Sequence, residues 1–125
     1  MNQPTEACVS PQPRVCDLSS ALQRMGANVQ LVREMLALFR EDAPVYQSRL
    51  QDAVTEGNAA GVEHAAHSLK GMLSMFGAEA AMQVAQRLER MGNKGDLIAA
   101  PAQAGELETE IARFLDTFTA ELAKF

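Results

Sequence analysis

The chain has 125 residues, 47% of them apolar, which suits one globular domain with one core and excludes both a disordered chain and a two-domain protein. A formal charge of −5 argues against nonspecific nucleic-acid binding. No apolar run approaches the ~20 residues of a membrane span, and the N-terminus lacks the basic-then-apolar form of a signal peptide, so a cytoplasmic protein is expected.

Residues 1–16 hold three prolines and no periodicity and read as a flexible lead-in; the bundle domain is expected over residues 17–125. Cys8 and Cys16 fall in that lead-in, form neither a zinc pattern nor a disulfide framework, and are expected as free thiols. Asp17 can cap a short helix to about Met25, closed by Gly26. Asn28 suits the N-cap of a longer one, whose apolar stripe is Val32, Met35, Leu36, Phe39, Ala43, Tyr46, Leu50 and Val54. The stripe keeps phase across Pro44, which predicts one kinked helix ending at Gly57 rather than two.

Asn58 opens the next helix, with Val62, Ala66, Leu69, Leu73 and Phe76 inward and Gly77 as its stop. A helix over about 78–91 follows, with Ala81, Met82, Ala85 and Leu88 inward, then a loop at 92–96. The last helix starts near Pro101 and turns Leu107, Ile111, Phe114, Leu115, Phe118 and Leu122 inward. Ala, Leu, Met, Glu and Gln dominate and no strand pattern occurs. The expected fold is all-α: an antiparallel four-helix bundle with a short additional N-terminal helix.

The stretch "AAHSLKGMLSMFGA" at 65–78 carries residues a core does not ask for. At about 100° per residue from Val62, Lys70 falls near 80°, Ser74 near 120°, His67 near 140° and Gly71 near 180°. All four therefore share the outer face, away from the apolar stripe. A neutral imidazole is a nucleophile that can form a covalent intermediate without an activating base. Lys70 can bring positive charge to an anion on that ring, Gly71 leaves approach open, and Ser74 offers a hydroxyl. Residues 63–94 hold four bases against three acids, a net +1, so the remaining chain carries −6, and the acidic surplus is kept away from this face. The same residues also suit a solvated helix face, which is how His64 is read, and spacing alone leaves both readings open.

The string Ala66-His67-Ser68-Leu69-Lys70-Gly71, followed by Phe76-Gly77-Ala78 and later Leu88-Glu89, closely resembles the histidine phosphotransfer (HPt) domain family. The resemblance extends over about residues 17–124. It implies that His67 accepts a phosphoryl group from a receiver-domain aspartate and passes it to another receiver in a two-component phosphorelay. It further implies that Lys70 neutralises phosphate charge, that Gly71 makes room for the receiver, and that Ser74 is a weaker phosphate contact. Glu89 occupies the family's place for a polar residue facing the histidine, where it would accept the inner ring N–H; a glutamate merely pairing with a neighbour is the competing reading.

Met72 stands where the family usually has a small residue and Met75 where a small or polar one is common; Met75 suits either receiver docking or packing beneath the N-terminal helix. The resemblance implies a phosphoryl carrier without kinase activity of its own and without a cofactor, magnesium being supplied by the receiver. Response-regulator receivers are the expected partners, with a hybrid sensor histidine kinase as a further candidate; the outer face is expected to be polar and the chain a monomer. The starting Met and the lead-in lean towards a free-standing protein.

Two readings compete from other classes. Glu63, His64 and His67 lie close on one helix as metal ligands would, but only two histidines exist and no second cluster completes a site, so no metal is expected. A non-phosphorylated helical-bundle interaction module would keep the core stripe yet need neither His67 nor Lys70.

Overall fold

The computed structural model describes residues 13–125. Among these residues five helices follow in order: α1 Leu18–Arg24, α2 Val29–Glu56, α3 Ala59–Ser74, α4 Glu79–Lys94 and α5 Ala100–Leu122. The last four form the antiparallel bundle, each packed on the next and α5 returning to α2, while α1 lies across α2 and α5. Among the described residues no helix is long and apolar enough to cross a membrane.

Asp17, Asn28 and Asn58 cap α1, α2 and α3 by accepting hydrogen bonds from the backbone N–H groups of Ser20, Leu31 and Gly61. Each satisfies one of the donors that a helix start leaves without an intrahelical partner. Helix α2 runs unbroken through Pro44, so the phase-keeping stripe did indicate a single element. Helix α4 departs from expectation by continuing through Gly92 to Lys94, ending where Gly95 adopts a φ of 74°. Gly92 reads as a turn residue in isolation, but it is buried against α3 and its backbone stays helical.

The core stripes are largely as expected, with Val62, Ala66, Leu69, Leu73 and Phe76 all buried. Met35, Tyr46, Val54, Met82 and Leu115 are only half-buried, and Ala53 and Val84 take inward positions outside the expected stripes. Four phenylalanines from α2, α5 and the α3–α4 turn join at the centre: the ring of Phe76 lies 5.7 Å from Phe39, 5.3 Å from Phe114 and 5.2 Å from Phe118. Near-perpendicular edge contacts such as Phe76–Phe118, at 77°, are a favoured aromatic geometry.

The outer face is less uniformly polar than expected. Leu31, Leu38 and Val45, seven residues apart along α2, are 37%, 49% and 47% exposed and form an apolar stripe.

Cys8 and residues 1–12 of the expected lead-in lie outside the described residues. The last residues of that segment are held to the bundle. The Arg14 carbonyl accepts from Ala80 N–H at 2.8 Å, supplying the cap that Ala78 cannot give to α4. The Phe76 carbonyl accepts from Asp17 N–H at 2.9 Å, and Cys16 packs against the core. Gly77, at φ 61°, completes this clasp, because a Cβ there would lie 2.6 Å from Asp17 Cβ.

Candidate functional site

Helices α3 and α4 form the most closely packed pair of the bundle, and their outer seam carries the candidate site. His67 projects from α3 with 68% of its side chain exposed. Its inner nitrogen, Nδ1, lies 2.8 Å from Glu89 Oε2 on α4. An ionised carboxylate only accepts, so Nδ1 carries the proton and donates. In the neutral ring the lone pair is thereby placed on Nε2, which has no hydrogen-bond partner among the described residues.

The other Glu89 oxygen, Oε1, is shut off from solvent, with the Lys70 ammonium 2.6 Å away. That approach is off-line for a hydrogen bond, but an ion pair at this distance remains attractive at any angle. Lys70 is the main influence holding the Glu89 carboxyl below its ordinary value of 4.5; partial burial opposes it, and the His67 N–H adds to the lowering. One carboxylate thus ties two α3 residues together from across the helix interface.

Gly71 is one turn beyond His67, and a Cβ built there meets nothing within 4 Å. Its exposed backbone leaves a flat approach past the imidazole. The Ser74 hydroxyl donates to the Gly71 carbonyl at 2.6 Å, so its proton is directed into its own helix. Beside Lys70 and Gly71 a shallow hollow of about 410 Å³ opens towards α4, where Gln83 and Gln86 line it. These two glutamines are not among the residues expected at the site: they stand three apart on one helix face, a signal indistinguishable from solvated polarity until the rotation of α4 is known.

Met72 and Met75 lie half-buried on the other side of α3, lining a groove of about 120 Å³ with Met35, Leu38 and Phe39 of α2. His64 is exposed one turn before His67. Glu63 instead accepts a hydrogen bond from Asn93 Nδ2 at 3.1 Å. The end of α3 is fixed by Arg24 of α1, which donates to the Ser74 carbonyl at 2.6 Å and reaches the Met75 carbonyl at 3.3 Å. This satisfies carbonyls that a helix C-terminus leaves open.

No curated protein sequence matches the chain. Among solved structures it is similar to histidine-containing phosphotransfer protein B (HptB) from Pseudomonas aeruginosa PAO1, with a TM-score of 0.81 and 25% sequence identity. The likeness covers 91% of this chain and 99% of that one. The family model described as "Hpt domain" matches residues 34–117, a span that includes His67, Lys70, Gly71 and Glu89 as well as the four bundle helices in whole or part. The chain therefore belongs to the Hpt domain family.

Proposed function

We propose that His67 is the phosphoryl acceptor of a two-component phosphorelay, taking the group from a receiver-domain aspartyl phosphate and handing it to the aspartate of another receiver. The observation that carries this reading is the Glu89–His67 hydrogen bond, which leaves Nε2 with its lone pair on the exposed side of the ring. In transfer the Nε2 lone pair forms the new N–P bond as the acyl-phosphate P–O bond breaks, and the aspartate leaves as a carboxylate. No proton has to move: Nδ1 keeps its hydrogen, and the positive charge that develops on the ring faces the Glu89 carboxylate.

Phosphoryl transfer depends mainly on positioning and charge stabilisation. This chain contributes the placed imidazole, the Lys70 ammonium as a countercharge for the phosphoryl oxygens, and the open backbone at Gly71 for the incoming receiver. Ser74 has the weaker part, since its hydroxyl must leave the Gly71 carbonyl to meet a phosphate. Magnesium enters with the receiver, and the chain acts as a cytoplasmic carrier with no kinase step of its own. A hybrid sensor kinase carrying a receiver is a natural donor for the same chemistry.

The test is intact-mass measurement after mixing the protein with a phosphorylated receiver, beside a His67→Gln control. A phosphoryl adduct on the wild type alone, labile in acid and stable in base, is the expected result. Loss of the receiver's phosphate with no adduct on this chain, or an equal adduct on His67→Gln, overturns the assignment.

A further inference from the structure

Helix α4 contains a glycine where a helix gains nothing from one. Gly92 is the third-last residue of α4, helical and buried. A Cβ at this position would lie 2.5 Å from Glu63 N, 2.6 Å from the Ala59 carbonyl oxygen and 2.8 Å from Glu63 Cβ. The two nearest atoms are backbone of α3, so no side-chain rotation could relieve the overlap. Gly92 therefore marks a crossing at which the two helices touch backbone to backbone. Asn93, the next residue, ties the same crossing through its hydrogen bond to Glu63.

This crossing is one turn from the candidate site on both helices. Glu89 precedes Gly92 by three residues and Glu63 precedes His67 by four, and residues three or four apart share a helix face. The spacing between α3 and α4 at Gly92 is therefore passed on to the gap that Glu89 spans. That gap has little slack, with contacts of 2.8 Å to His67 and 2.6 Å to Lys70. Relieving a 2.5 Å approach to ordinary contact moves the helices apart by roughly 1 Å, which carries a 2.8 Å hydrogen bond past the useful range.

We propose that Gly92 is a positioning residue for His67: by admitting the α3 backbone where any side chain would collide, it sets the helix separation at which Glu89 reaches the imidazole and Lys70 together. The inference rests on the proposed phosphotransfer for its consequence and on geometry alone for its cause. Gly92 touches no reacting atom and acts only through Glu89.

The experiment compares Gly92→Ala, Glu89→Ala and the double variant, reading the nitrogen-15 shifts of the His67 ring and the rate of phosphoryl transfer from a phosphorylated receiver. The expected result for Gly92→Ala is a His67 ring shifted towards the Glu89→Ala spectrum and a transfer rate about tenfold lower. The double variant is expected to be no slower than the slower single one, because Glu89→Ala removes the acceptor that Gly92→Ala moves out of reach, so both break the same contact. A wild-type His67 spectrum in folded Gly92→Ala, or fully additive losses in the double variant, overturns the proposal. If Gly92→Ala does not fold, Asn93→Ala loosens the same crossing without adding an atom, and an unchanged His67 spectrum there overturns it equally. The ring shifts need no receiver, so they decide the role of Gly92 even if the wild type accepts no phosphoryl group and the functional reading fails.

Discussion

Glu89 and His67 meet at 2.8 Å although 22 residues separate them in the chain, and the same carboxylate holds Lys70 at 2.6 Å. The imidazole is thus oriented from a neighbouring helix rather than from its own. A donor on Nδ1 and a lone pair on Nε2 follow from the acceptor-only character of the carboxylate. Removing that acceptor with Glu89→Ala is expected to slow phosphoryl transfer about tenfold while leaving the bundle folded. A transfer rate equal to wild type in single-turnover measurements contradicts the orienting role.

The lowered Glu89 carboxyl gives a signed pH effect. A group whose folded value is depressed stabilises the fold above its unfolded value and loses that contribution as pH falls through the folded one. Thermal midpoints should therefore fall more steeply for the wild type than for Glu89→Gln as pH drops below about 4.5. Parallel curves for the two proteins over that range mean that the Lys70 and His67 contacts do not perturb Glu89 in solution.

Lys70 is expected to matter twice. Lys70→Met removes the countercharge for a phosphoryl group and leaves the solvent-shielded Oε1 of Glu89 without its neighbour. We expect slower transfer together with a stability loss of about 1 kcal/mol in urea unfolding. Slower transfer at unchanged stability assigns Lys70 to the chemistry alone.

Gly71 separates access from folding. Its Cβ position is empty, so Gly71→Ala should stabilise helix α3 by up to about 1 kcal/mol from propensity alone. Gly71→Trp should fold as well and accept phosphate from a small donor such as phosphoramidate, yet fail with a receiver. Equal failure with both donors indicates that the substitution disturbs His67 itself.

Phe76 anchors the turn that joins the two site helices, through ring contacts to Phe39, Phe114 and Phe118. Phe76→Ala should cost ~3–5 kcal/mol of stability, measured by urea unfolding. A cost under about 1 kcal/mol means that the four-ring cluster collapses to fill the gap. Cys16 offers a separate probe of the clasp beside that turn. Its thiol is pushed up to about 11 by burial, with Glu121 and Asp17 adding to the shift. In a Cys8→Ser background it should react with iodoacetamide on the order of a hundredfold more slowly than an ordinary thiol.

Much of this was legible from local pattern. The caps at Asp17, Asn28 and Asn58, the stripe that runs through Pro44, and the outward direction of His67, Lys70 and Gly71 all depend on neighbours within a few residues. Helical periodicity and capping chemistry are local properties, so one dimension suffices to read them. The resemblance supplied the position of Glu89 and its hydrogen bond with His67, but not its contact with Lys70. Gly92 shows the limit: its residue type and neighbours suggest a turn, and only the nearness of the Glu63 backbone makes it a helical contact point. The Arg14 and Arg24 ties to the α3–α4 turn were hidden for the same reason. Which helix rotates which face toward a partner is decided by packing between segments distant in sequence, and that information exists only once the core has closed.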